Sequence, residues 1–190
     1  MARVKKPQPV FESLVFATPE QKVLRFLLGE PTSSFMPRVL ASRLKGVRGL
    51  GGSEGIGKIV KNLEELGLVE SVDNGRAIRL CEENAGILLM KTLAALCDLE
   101  GIQELAEPLS SRGILFGSRA SGRARSDSDY DLFVVSNSKE EVEHTIKSHP
   151  LGKRIELLIW DPDEYETLEK KDSGLAEKLS RGIQLWGPIW

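Results

Sequence analysis

Two short apolar runs, joined by a polar loop, constrain this chain more than any other feature. Ile114-Leu115-Phe116 stops at Gly117-Ser118, and Asp131 opens the run Leu132-Phe133-Val134-Val135. Each run is too short for a helix and is bounded by turn-forming or charged residues, so both read as buried β-strands. Gly117-Ser118-Arg119-Ala120 begins a helical turn after the first strand. The start of a helix offers unpaired N–H groups and a partial positive charge, which suits phosphate. Glycine lets an anion approach the backbone closely, and Ser118 adds a hydroxyl donor.

The second run is introduced by Asp129-Tyr130-Asp131. Residues two apart in a strand share a face, so both carboxylates project together. At about 4 Å and an effective dielectric near 20 they repel by on the order of 4 kcal/mol. A divalent cation removes that conflict, and all-oxygen ligation suits Mg²⁺ or Mn²⁺ rather than zinc. Carboxylates beside a phosphate cradle are the equipment of two-metal phosphoryl chemistry. One ion activates an attacking hydroxyl, and the other steadies a leaving diphosphate.

Gly117-Ser118, ten intervening residues and Asp129-Tyr130-Asp131 resemble the signature of the DNA polymerase β-like nucleotidyltransferase superfamily. The resemblance covers about residues 101–188. It is strongest to the minimal nucleotidyltransferase branch, where Phe-Gly-Ser-Arg-Ala and Ser-Asp-hydrophobic-Asp-Leu recur, as at residues 116–120 and 128–132. It implies a third carboxylate on a later strand, matched by Glu156 in Arg154-Ile155-Glu156-Leu157, where family members more often carry Asp. On that likeness Asp129, Asp131 and Glu156 are the catalytic and metal-binding residues. Gly117, Ser118 and Arg119 are the nucleotide-binding ones, with a helix-surface salt bridge as the other expectation for Arg119. The implied reaction moves a nucleoside monophosphate, AMP from a bound nucleoside triphosphate such as ATP, to a hydroxyl. Many members of the branch are antitoxins that modify a Tyr of a HEPN-type toxin ribonuclease, which makes such a toxin one expected acceptor. Arg123 and Arg125 are expected as solvated loop charges. Trp160, Trp186 and Trp190 are expected in packing.

The rest of the C-terminal half completes an α/β pattern. A polar helix is expected at residues 139–149, a third strand at 155–160, a helical stretch at 163–179 broken at Asp172-Ser173-Gly174, and a last strand at 183–186.

The N-terminal half reads differently. Residues 1–17, with Arg3, Lys5, Lys6, Pro7 and Pro9, suggest a flexible arm. Thr18-Pro19-Glu20-Gln21 carries the N-cap, first-turn proline and Gln of a helix start. A short helix follows from about Pro37, then a turn containing Gly46, Gly49, Gly51 and Gly52. Ser53 is expected to cap a third helix whose apolar stripe is Ile56, Ile59, Val60, Leu63 and Leu66, ended by Gly67. Residues 68–80 read as a β-hairpin turning at Asp73-Asn74-Gly75. Three helices and a hairpin follow the plan of a winged helix-turn-helix, and residues 63–69 resemble the end of its recognition helix and the start of its wing.

The expected fold class is therefore α+β. An arm at 1–17 precedes a winged helix at 18–82, a linker helix at 83–100 and a small mixed-sheet nucleotidyltransferase domain at 101–190. A further helix is expected at 101–111. Residues 1–80 hold 13 Lys and Arg against 8 Asp and Glu, and residues 81–190 hold 13 against 20, or net +5 against net −7. A basic module suits a polyanion, so duplex DNA is an expected partner, with Lys58, Lys61, Arg76 and Arg79 as contacts. The alternative function is a DNA-binding transcriptional regulator whose nucleotidyltransferase fold only senses nucleotide, and a third is a protein-interaction module.

Cys81 and Cys97 are the only cysteines, too few for a disulfide framework, so a reducing, cytoplasmic setting is expected. No apolar run suits a membrane span or a signal peptide. Gly52-Ser53-Glu54-Gly55-Ile56-Gly57-Lys58 imitates a P-loop, but Ile59 stands where Ser or Thr should follow.

Overall fold

A computed structural model describes residues 10–188, and the chain divides into two compact units at Cys97 and Asp98. The first expected element needs correction. The arm drawn over residues 1–17 is helical from Val10 to Val15 (α1), and Phe16 is buried because its ring joins the core of the first unit. Glu12 on α1 pairs with Arg25 at 2.8 Å. Arg3, Lys5, Lys6, Pro7 and Pro9 lie outside the described residues.

Helix α2 (Pro19–Gly29) begins where its cap demands. The Thr18 hydroxyl accepts from the Gln21 N–H at 3.2 Å, and the Gln21 side-chain Oε1 accepts from the Thr18 N–H at 2.9 Å. Val23, Leu24, Leu27 and Leu28 form its buried face. Helix α3 (Pro37–Arg43) buries Leu40. The glycine turn that follows is genuine, since Gly46, Gly49, Gly51 and Gly52 all adopt positive φ.

Helix α4 (Gly52–Glu65) starts two residues earlier than expected, with left-handed Gly51 as its N-cap and no side-chain cap, so Ser53 lies within the first turn. Its buried face is Ile56, Ile59, Val60 and Leu63, whereas Leu66 is exposed beyond the helix end. The P-loop imitation lies inside the first turns of this helix. The Gly55 N–H is already bonded to the Gly51 carbonyl at 3.1 Å, so it is not free to cradle phosphate. Strands β1 (Val69–Val72) and β2 (Ala77–Leu80) pair antiparallel, with Asp73, Asn74 and Gly75 all at positive φ in the turn. Phe35 bridges to Ile78 of β2.

Helix α5 (Ala85–Ala106) replaces the two helices expected over residues 84–98 and 101–111, and a short 3₁₀ turn at Glu107–Leu109 follows it. Gly101 lies inside the helix without ending it. A Cβ there would come within 3.1 Å of His149 Nε2, so the absent side chain leaves room for the imidazole.

The second unit holds a small mixed sheet, which places the chain in the α+β class. Strand β3 (Arg112–Phe116) leads into a single helical turn, α6 (Gly117–Ala120), and the chain returns as β4 (Tyr130–Val135). Helix α7 (Lys139–Ser148) packs through Val142 and Ile146 and leads by a 3₁₀ turn at Gly152–Arg154 into β5 (Ile155–Trp160). Short helices α8 (Pro162–Glu166), α9 (Leu168–Lys171) and α10 (Ser173–Ser180) precede β6 (Ile183–Trp186). The helical stretch expected at 163–179 is thus broken twice, at Thr167 and at Asp172, whose side chain caps α10.

Strand order is β5-β4-β3-β6, with β4 and β5 parallel and the other pairs antiparallel. Ile114, Leu115, Leu132, Phe133 and Val134 are buried in it. Trp160 meets the Phe133 ring edge-on at 6.0 Å, and Trp186 is buried over Gly113 with no room for a Cβ between them. Both indoles are packing residues, as expected. Trp190 lies outside the described residues. Among the described residues no helix is long and apolar enough to cross a membrane.

Candidate active site

Sheet register assembles the site at one end of the sheet. Asp131 stands opposite Phe116, the last residue of β3, on one side and opposite Glu156 of β5 on the other. Gly117 follows Phe116 directly and opens α6, so Asp131 lies between this glycine and Glu156. Gly117 has φ +69° and its Cα rests against the Asp131 carboxylate so closely that a Cβ would overlap it. The Ser118 amide donates to that same carboxylate.

The electrostatics follow from this crowding. Burial, then the charge of Glu156, then that of Asp129, push the Asp131 carboxyl above its ordinary range, and a hydrogen bond with Glu156 adds to the rise. The Ser118 N–H works in the opposite direction. Asp129 and Glu156 are exposed, and Asp131 is half-buried. The three acids are near enough to raise proton affinity at the central one. Among the described residues, however, no group of three or more His, Cys, Asp or Glu side chains stands in ligand geometry for a metal ion. The donor chemistry fits a hard divalent cation: three carboxylates, all oxygen, with mutual repulsion that positive charge would relieve.

The phosphate cradle also differs from expectation. Helix α6 is only one turn long, so it adds little macrodipole, and one of its leading amides is occupied by Asp131. What remains is the exposed Gly117 backbone and the half-buried Ser118 with its hydroxyl. The Ser118 carbonyl accepts from the Arg123 N–H at 2.9 Å, which folds the following loop back over the turn. Arg123 and Arg125 are exposed on that loop, with Ala124 buried between them.

Arg119 is the clearest correction. Its side chain is 7 % exposed, and its guanidinium stacks on the Tyr130 ring at 4.3 Å and donates to the Ser128 carbonyl at 2.7 Å. It forms no surface salt bridge but turns inward. The reason lies at the start of β4: with Asp131 outward, Tyr130 before it points inward, and its ring supplies the face on which a buried cation can rest. Sequence reasoning missed Tyr130, Arg154 and Asp98. Only Tyr130 left a signal, as the inward residue of the Asp-x-Asp alternation.

The four candidate DNA contacts are not gathered into a free basic face. Lys58 pairs with Glu54 at 3.1 Å, Lys61 with Glu65 at 3.9 Å, and Arg79 with Glu70 at 2.7 Å, while Arg76 is exposed in the hairpin turn. Exposed pairs are weak and break readily. Yet each phosphate contact there would bring a carboxylate beside the phosphate.

No curated protein matches the chain. The family model described as "Nucleotidyltransferase domain" matches residues 91–183, a span that contains every residue of the site just described. Residues 91–183 are therefore similar to a nucleotidyltransferase domain.

Proposed function

We propose that the chain transfers a nucleoside monophosphate, AMP from ATP, to a hydroxyl acceptor with the help of a divalent cation. The observation that carries this is the placing of Asp131 between Glu156, its partner in the sheet register, and Gly117, which packs against its carboxylate, with Asp129 just before the strand. Asp129 and Asp131 would hold Mg²⁺ or Mn²⁺, and Glu156 would complete the site that receives the acceptor. A bound cation supplies charge for the developing diphosphate and lowers the proton affinity of the attacking hydroxyl. Ser118 and the Gly117 backbone bind the β- and γ-phosphates.

We also read residues 18–82 as a winged helix, supported by the order of α2, α3, α4 and the β1–β2 hairpin. Three of its four candidate DNA contacts, Lys58, Lys61 and Arg79, sit beside carboxylates, and this favours docking on a protein over a grip on duplex DNA. A protein acceptor, such as a HEPN-type toxin, fits that arrangement.

The phosphate assignment is tested through Ser118→Ala. A hydrogen bond to a charged group is worth roughly 1.5–3 kcal/mol, so ATP affinity should fall about tenfold or more. AMP, which lacks the diphosphate, should bind the variant as it binds the parent. Calorimetric titration of both nucleotides in Mg²⁺ measures this, and equal losses for the two would remove Ser118 from the role.

A further inference from the structure

Ser128 immediately precedes the first carboxylate of the site, and its carbonyl oxygen receives two guanidinium donors. Arg119 Nη2 reaches it at 2.7 Å and Arg154 Nη2 at 2.9 Å, and the same Arg154 nitrogen donates to the Ser126 carbonyl at 2.9 Å. Both guanidiniums also lie over the Tyr130 ring, at 4.3 Å for Arg119 and 5.9 Å for Arg154. The Tyr130 hydroxyl in turn donates to Asp98 Oδ2 at 2.6 Å. Tyr130 is 2 % exposed, and the Arg119 Nε has no hydrogen-bond partner among the described residues.

Burying a cation is costly unless its hydrogen bonds and charge are met. Here Arg119 is met only by a carbonyl and a ring face, leaving one N–H unsatisfied, an arrangement that apolar packing would improve on for stability alone. Its connections suggest another use. Arg119 belongs to α6, one residue after Ser118. Arg154 closes the turn before β5, two residues before Glu156. Ser128 and Tyr130 flank Asp129 and adjoin Asp131. The clamp thus ties the phosphate-binding turn, the Asp-x-Asp strand and the Glu156 strand to a single backbone oxygen.

We propose that Arg119 and Arg154, closed on Tyr130 and the Ser128 carbonyl, are positioning residues that hold the backbones carrying Asp129, Asp131 and Glu156 in place, so that only the carboxylate side chains move when a cation binds. This rests on the reading of those acids as the cation site. Lysine keeps the charge at either position but loses the planar fork and the stacking surface.

The test uses the full chain and Mn²⁺ alone, with free Mn²⁺ followed by electron paramagnetic resonance well below the melting temperature. Arg119→Lys and Arg154→Lys should each weaken Mn²⁺ binding roughly tenfold or more, the loss typical when groups that orient metal ligands are altered. A purely structural role would lower the melting temperature and leave Mn²⁺ affinity at the parent value, and that result overturns the proposal. Asp131→Asn is the control. If it binds Mn²⁺ as the parent does, the cation-site reading itself fails, whatever the arginine variants do. Hydrogen exchange on the parent chain makes the same test without substitution. Amides of residues 126–131 should be protected in the absence of Mn²⁺, and a loop that becomes protected only on adding Mn²⁺ overturns the proposal.

Discussion

The Asp129→Asn, Asp131→Asn double variant is expected to lose Mg²⁺-dependent nucleotide binding while keeping its fold. Amide side chains fill the same space, so the strand and its buried neighbours Leu132 and Phe133 are undisturbed. What disappears is the negative charge that holds the cation, and without it the triphosphate faces Glu156 unshielded. The folded state should be as stable as the parent or more so at neutral pH. Burial, Glu156 and Asp129 hold the Asp131 carboxyl above its ordinary range. A group whose folded pKa is raised stabilises the fold fully below its unfolded pKa. That stability is lost as pH rises through the folded pKa. At neutral pH the ionised Asp131 therefore works against the fold, and Asn removes that burden. Any gain in melting temperature should shrink as pH falls into the carboxylate range. Calorimetry with MgATP and melting curves at several pH values measure both effects. Parent-like MgATP affinity in the variant would place the cation site elsewhere.

Gly117→Ala should be nearly as damaging by a different route. The position has φ +69°, where alanine is strained, and its new Cβ would overlap the Asp131 carboxylate. Alanine at positive φ costs more than about 1 kcal/mol, before the overlap is counted. Relief requires either Gly117 or Asp131 to move, and either shift opens the site. The variant should unfold at lower urea concentration and also lose MgATP binding under conditions where it is still folded. Unchanged urea midpoint and unchanged binding together would mean that the close approach of Gly117 to Asp131 has no functional weight.

The parts of the site set by local periodicity were legible in the sequence. Two-residue alternation placed Asp129 and Asp131 on one face, and the apolar run after Asp131 could only be a buried strand. Glu156 was legible because its strand is equally apolar, although its register opposite Asp131 depends on pairing across 25 residues of chain. The direction of Arg119 was not legible. It depends on a ring supplied by Tyr130 and a carbonyl nine residues away, and nothing in Gly-Ser-Arg says that the arginine turns inward. Arg154 was missed for the same reason, since its partners lie 26 and 28 residues distant. Continuation of α5 through Gly101 reflects tertiary contact with His149 overriding a weak helix former. Likewise, Ser53 has the right chemistry for an N-cap, but left-handed Gly51 lets the helix start before it.

Nucleotidyl transfer moves the α-phosphorus of the nucleotide and leaves the γ-phosphorus in the released diphosphate. The most direct measurement incubates the full chain with Mg²⁺, a cell extract as acceptor pool, and ATP labelled at either the α- or the γ-phosphorus. The parent should incorporate label from the α-position only, release diphosphate, and require the divalent cation. Asp131→Asn should incorporate none. Incorporation from the γ-position, or α-label incorporation that persists in Asp131→Asn, would contradict the assignment of this site to nucleotidyl transfer.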